Sequence, residues 1–479
     1  MKSPIVAVIL AILCFSFTNC SSQNKLKTNH DPDTKPVAFP GAEGFGKYTT
    51  GGRGGRVVIV SNLNDNGPGS FREAVTAKDT RTIIFNISGT IHLQTKLVIA
   101  GNCTIAGQSA PGDGICIADK AVILGGNNII VRYLRFRMGD RYANEGMVDG
   151  AGGDDAFGGT HRSNIIIDHC SISWSTDEAF SVYGGDSTTL QYNIISEPLN
   201  YSYHFETGDK DFEHHGYGAI WGGKHFSAHH NLFAHCANRT PRFDGIRNIP
   251  EENADITNNI IYNWEGNNTY AGEGGTYNII NNYYKAGPST KKSVMGRIAN
   301  PYKNASIPFG KWYVNGNFVE GFPEITADNW KGVTMEKGNA DDKTNSKLAN
   351  PFTVPEMRIE NAEIAYNTTL QYAGANFPKR DTLDERIVND VRNRTGRIID
   401  VQGGFPHGTS YEISKSAWPA LNSLPAPVDT DQDGLPDEWE KKRKLDPNDP
   451  KDASLLSRNS FYTNLEMYLY ELITKQKKN

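Results

Sequence analysis

Four acids stand on either side of one short β-branched run: Asp154 and Asp155 before residues 165–167 (Ile-Ile-Ile), Asp177 and Glu178 after it. Extended segments can bring such flanks together. A collection of hard carboxylate oxygens is the donor set that Ca²⁺ prefers, with about six to eight oxygens around the ion. Solvated turn acids would give the same pattern, so this stretch alone leaves both readings open. A second acidic run is more specific. From Asp429 the chain reads Asp-Thr-Asp-Gln-Asp-Gly-Leu-Pro-Asp-Glu-Trp-Glu, which fits the calcium-loop pattern D-x-D-x-D-G-x₅-E without a gap. Asp429, Asp431, Asp433, Asp437 and Glu440 take loop positions 1, 3, 5, 9 and 12. Leu435 offers its carbonyl at position 7, and Gly434 supplies the sharp turn.

Elements must hold these residues in place. From residue 82 the chain is a run of short β segments (82–87, 90–93, 97–99, 104–106, 115–118, 129–136) broken by Gly and Asn. A looser repeat follows, in which an approach segment leads to an Asn and then to two apolar residues. It recurs at Asn193, Asn231, Asn259, Asn282 and Asn317, with steps of 38, 28, 23 and 35 residues. Unequal periods above a floor of about twenty residues fit a parallel β-helix, in which each coil gives a few strands and variable loops project from one side. A propeller would repeat more evenly, and a sandwich would show more two-residue hairpins. Asn suits the bend because it tolerates left-handed backbone angles, and stacked Asn side chains can satisfy one another.

The rest of the chain frames this core. The 479 residues include 48 Gly and 10% aromatics, which favours strands and turns over helical bundles. A net charge of −5 argues against nucleic acid as a partner. Lys2, an apolar run over 5–17 and Cys20 form an export signal over residues 1–20. Its end resembles a bacterial lipoprotein signal, with lipid attached at Cys20, and polar residues 21–37 form a tether. The expected location is therefore secreted or anchored at an outer membrane. Cys103, Cys116, Cys170 and Cys236 fit no zinc spacing and are expected as small buried hydrophobes, with oxidation of a pair left open. The glycines over 38–46 and 51–55 lack the Lys and following helix of a phosphate loop and read as turns. Ser70 with Glu73 predicts a short capped helix. Leu383, Ile387 and Val391 give 381–394 a helical face that caps or flanks the solenoid. Prolines 419, 425 and 427 mark 418–428 as a linker. A helix over 463–473 would pack Leu465, Tyr468, Leu469 and Leu472 on the calcium loop's exit helix. The domains expected are thus a catalytic solenoid over 38–417, then a linker with a structural calcium module over 418–479.

Asp155-Ala, the run Ile-Ile-Ile-Asp168-His169-Cys-Ser-Ile-Ser, Asp177 and the later Asn238-Arg239-Thr-Pro-Arg242 together resemble the signature of pectate lyases. Residues 38–46 and 104–112 look like the same family, so the resemblance covers roughly 38–320. It implies an all-β, right-handed parallel β-helix, to which the loop at 429–440 adds an EF-hand-like calcium module. It implies an enzyme that cleaves α-1,4-polygalacturonate by Ca²⁺-dependent β-elimination, leaving an unsaturated sugar end; a monomer is expected. It implies that Asp155 and Asp177 bind calcium, with Ser181 where a third carboxylate is expected and Glu178, Asp154 or water compensating. Arg239 falls on the family's proton-abstracting base and Arg242 on a carboxylate clamp. The family's substrate Lys is replaced near Tyr217, with Lys224, Lys210 or His215 as substitutes. Arg135 and Arg137 share a strand face that would line the uronate groove or lie against solvent. His169, His229 and His230 are expected to stack along the coil rather than bind zinc. Two other classes stay open. One is a galacturonan hydrolase using Asp154, Asp155 and Asp177, and the other is a non-catalytic polysaccharide-binding β-helix.

Overall fold

The asparagine repeat sets the coil. In this computed structural model, Asn193, Asn231, Asn259 and Asn282 each donate a side-chain Nδ2–H to the Oδ1 of the next member at 2.9–3.0 Å, ending at Asn317. Each accepting Oδ1 also takes the backbone N–H of the preceding Asn. Asn317 passes the chain on to Asn329, which closes the ladder from outside the repeat. All six amides are buried, and such burial is tolerable only because every donor finds an acceptor. The left-handed residue of each bend is not the ladder Asn but the one before it: Tyr192, His230, Asn258 and Asn281 have φ of 52–61°. That shift by one turns the ladder amide inward.

The structure describes residues 35–141, 154–206, 208–458 and 460–476; the export signal and nearly all of the tether lie outside them. Pro36–Asn479 clusters as one compact unit. Its strands fall into two sheets of 16 and 9 members, with parallel ladders joining strands one coil apart. In the smaller sheet the order runs coil by coil from Gly89–His92 to Phe318–Val319. Strands of β-branched residues are buried on both faces: Ile165 and Ile167 join the main core, and Ile166 packs on the other side with Ala38 and Phe39. Aromatics stack in register along it, Phe136 on Phe157 (centroids 3.9 Å apart) and Phe157 on Phe180 (5.5 Å).

Helices cover the ends and flanks. Ser70 accepts from Glu73 N–H and caps Phe71–Thr76, whose Phe71 and Val75 are buried. Asp381 caps Thr382–Asn393, and Leu383, Ile387 and Val391 face inward as their spacing requires. Arg135 and Arg137 do share a face, but they line no groove. Both are fully buried and hold this helix: Arg135 pairs with Asp381 at 3.1 Å, and Arg137 pairs with Asp381 and with Asp384 at 3.0 Å. The linker is also partly fixed, because Trp418 is buried and donates its indole N–H to the Arg137 carbonyl at 3.0 Å. Beyond it, Leu435, Trp439, Leu465 and Leu469 pack on Val57, Ile59, Ile84 and Ala106 of the first coils.

Tyr133, His169, Tyr192 and His230 stack along successive bends with centroids 4.7–4.9 Å apart. His229 is buried beside His230, their Nδ1 atoms 3.0 Å apart. The four described cysteines are free and buried.

Candidate active site

Strand register brings the opening acids together. Phe157 pairs with Phe180 and Gly158 with Ser181 in a parallel ladder. The chain before it continues the pairing: Asp177 N–H donates to the Asp154 carbonyl and Ala156 N–H to the Glu178 carbonyl. The Asp155 carboxylate then accepts the Glu178 N–H at 3.2 Å. One coil on, Glu178 bridges Tyr217, and Tyr217 bridges Asn238, the residue before Arg239. Three neighbouring coils thus line up acid, aromatic and arginine.

The carboxylates of Asp155, Asp177 and Glu178 have oxygens within 4.8 Å of one another. Burial raises the Asp155 carboxyl well above the ordinary range, and the negative Asp177 beside it pushes the same way. The Ser181 hydroxyl, within hydrogen-bonding reach of Asp155, opposes that rise. Burial also acts to raise Asp177, but the His215 ring, whose Nε2 is 2.7 Å from Oδ1, holds the acid below its usual value. Three hard-oxygen donors crowded in this way fit a divalent cation such as Ca²⁺, whose charge would relieve their repulsion. Ser181 supplies no carboxylate, and Glu178 takes the third position in the cluster.

Two arginines on the neighbouring coils are in different states. Arg239, in a left-handed conformation, is ion-paired with Glu178 and lies over the Tyr217 ring at 4.2 Å. Arg242 pairs through its backbone with Ile220 and Tyr270 on either side. Among the described residues, no carboxylate lies within ion-pairing distance of its half-buried guanidinium. Beside Asp155, a groove of about 240 Å³ is lined by Asp154, Gly158, Gly159, Thr160 and Tyr183. A Cβ on Gly158 would meet the Ser181 carbonyl at 2.0 Å, so only glycine lets the two strands approach here.

Other expected residues stand elsewhere. Asp154 pairs with Lys96 and is not among the three converging acids. Lys224 pairs with the exposed Glu251, four residues beyond Ile220 on the strand Ile220–His229. Lys210 is exposed on the loop before His215. His215 supports Asp177 from behind and stacks near Tyr217, with centroids 3.7 Å apart. Asp177, His204 and His215 form a second close set of donors, and Glu213 lies 3.2 Å from His204 and 3.5 Å from His215. No motif in the sequence singles out His204 or Glu213. In the C-terminal loop, Asp429, Asp431 and Asp433 converge, and Asp433 also meets Glu440. Asp437 does not join them: it accepts from Thr430 N–H and Oγ1–H, both at 2.9 Å.

No family model matches the chain. A "probable pectate lyase C" of Aspergillus fumigatus is 35% identical over 458 residues, covering 92% of this chain and 94% of the relative. A protein of the same description from Emericella nidulans is 31% identical over 448 residues, at 92% and 94% coverage. Among solved structures, a pectate lyase bound to a hexasaccharide is similar over 71% of this chain and 98% of that one, with a TM-score of 0.48 and 14% identity.

Proposed function

This chain belongs to the pectate lyase family, and from that premise we propose that it cleaves polygalacturonate by calcium-dependent β-elimination. It is a polysaccharide lyase acting on pectate; the metal, the product and the residue roles that follow are our reading. The observation that carries it is the convergence of Asp155, Asp177 and Glu178 beside Arg239, which pairs with Glu178. The three acids would hold Ca²⁺, and His215 keeps Asp177 ionised and aimed. Bound calcium would supply charge stabilisation at the uronate carboxylate, making the C5 proton more acidic. Arg242, which has no ion-pair partner among the described residues, clamps a uronate carboxylate bidentately. Arg239 takes the C5 proton in the role the family resemblance gives it. A guanidinium paired with Glu178 stays protonated, so Arg239 must first leave Glu178 and release its own proton to solvent before it can accept the one from C5. As the C5–H bond breaks, its electrons form the C4–C5 double bond, and the C4–O bond opens with its electron pair going to the leaving oxygen, which takes a proton from solvent.

The groove beside Asp155 supports a chain-like substrate running along the coils. In the same reading Asp429, Asp431, Asp433 and Glu440 bind a second, structural calcium. The protein is exported as a monomer, with lipid on Cys20 and residues 21–37 as the tether; labelling with a clickable fatty acid should be lost in Cys20→Ala. For the reaction, polygalacturonate is incubated with the enzyme and calcium, and ultraviolet-absorbing product is followed. Release that stops with a chelator and returns with calcium is expected. New reducing ends without ultraviolet absorbance would mean hydrolysis, and no turnover would mean a binding protein.

A further inference from the structure

We infer that Asp452 is a ligand of the C-terminal calcium loop in place of Asp437, and that the ion so completed fastens the last fifty residues to the first coils. The inference rests on the calcium reading of residues 429–440. Asp433 is the pivot: its carboxylate lies within 4.8 Å of those of Asp429 and Asp431, and equally within 4.8 Å of those of Glu440 and Asp452. Oxygens on opposite sides of one Ca²⁺ stand about 4.6–5.2 Å apart, so each set fits around a shared ion.

An acidic cluster alone would say little, but several carboxylate oxygens here are buried without a hydrogen-bond donor. Glu440 is fully buried, and neither of its carboxylate oxygens has a hydrogen-bond donor. Both oxygens of Asp431 and one each of Asp429 and Asp452 are in the same state. Among the described residues, no Lys, Arg or His forms an ion pair with any of the five. Buried carboxylates without donors or cations strongly oppose folding, and a divalent ion is the group that answers them together. Asp437 has other work: with Thr430 it locks the loop, and its remaining contact is to Lys441 at 3.7 Å.

Asp452 is also where the pieces of the module are tied. Its neighbour Ala453 donates its N–H to Asp433 Oδ2 at 3.1 Å, and its own carbonyl accepts from Asn464 Nδ2 at 2.9 Å. Asn464 begins the helix Asn464–Gln476, whose Leu465 and Leu469 join Leu435 and Trp439 in covering Val57, Ile59 and Ile84. Glu466 on that helix pairs with Arg53 at 2.7 Å. One ion would therefore sit at the junction of the loop, the helix Asp437–Arg443 and the turn at Asp452, the segments from which this apolar cover is built.

Hydrogen exchange of the full chain, read by mass spectrometry across a calcium titration, tests this locally. Peptides spanning 429–454, 463–472 and 56–60 should gain protection as calcium rises. Asp452→Asn should move the midpoint to calcium concentrations at least about tenfold higher, and Asp437→Asn by less than about threefold. An Asp452→Asn titration that overlays the wild type, or an equal shift in Asp437→Asn, overturns the ligand assignment. Protection over 56–60 that ignores calcium overturns the fastening. A wild type with no calcium response in 429–454 sinks the loop reading itself. Should Asp452→Asn not fold, Asp452→Glu keeps the carboxylate but misplaces it, and the same midpoint shift is expected.

Discussion

Arg239 has two partners before any substrate arrives, the Glu178 carboxylate and the face of Tyr217. Lysine at this position would keep the charge but lose the planar fork and the stacking. Arg239→Lys should therefore lower kcat by about 10²–10⁴ while leaving the melting temperature within a degree or so of wild type. Ultraviolet product release and a thermal melt read these separately, and a large loss of stability would mean that Arg239 is structural. Glu178→Gln removes one acid from the cluster and frees Arg239, so it should raise the calcium needed for half-maximal activity. A calcium titration of rate that matches wild type would remove Glu178 from the ligand set. The pairing of Asp155 with Asp177 could be read from sequence because both flank strands that must stack. The pairing of Asp154 with Lys96 could not, because Lys96 comes from an earlier part of the chain and nothing local to either residue announces the other.

Among the elements, the asparagine ladder is the one whose failure should be most visible. Asn231→Ala leaves the backbone N–H and Nδ2 of Asn193 without their shared acceptor, and the Leu190 carbonyl without a donor. Each such buried group costs about 1–3 kcal/mol, so a loss of at least about 2–4 kcal/mol is expected in urea unfolding. A change below about 0.5 kcal/mol, ordinary for surface sites, would mean that the ladder is incidental. Its steps of 38, 28, 23 and 35 residues were legible because one amino-acid type recurs with the same apolar neighbours. The helix Thr382–Asn393 was legible for a similar reason, from the spacing of Leu383, Ile387 and Val391. Its anchor was not. Arg137 meets Asp381 and Asp384 across 244 and 247 residues, and nothing local to either segment announces the other. Asn329 closes the ladder from only 12 residues beyond Asn317, where no repeat leads the eye.

At the scale of the whole molecule, the solenoid was legible and the attachment of its C-terminal segment was not. Prolines suggest a free linker, but the docking of Trp418 on the Arg137 carbonyl depends on a coil nearly three hundred residues earlier. A fold of stacked turns also buries titratable groups wherever a bend carries one, and these set its response to pH. Burial depresses His230 to about 3 from 6.5, and His229 lies well below 6.5 for the same reason. The unfolded chain binds those protons more readily, so stability falls as pH drops from about 6.5 toward 3. Glu252 works in the opposite direction. Burial lifts it to about 8 from 4.5, although Tyr277 and the Gly245 N–H donate to Oε1 at 2.6 and 2.8 Å. The folded state holds that proton more tightly, so its contribution is complete below 4.5 and is lost as pH rises through 8. Asp255, raised by burial to about 6 from 3.8, adds a loss of the same sign at lower pH. Glutamine mimics the protonated carboxyl of Glu252 and cannot ionise. Glu252→Gln should therefore match wild type in melting temperature at pH 5 and exceed it at pH 8.5. Equal melting temperatures at pH 8.5 would show that Glu252 does not cost the fold a buried charge.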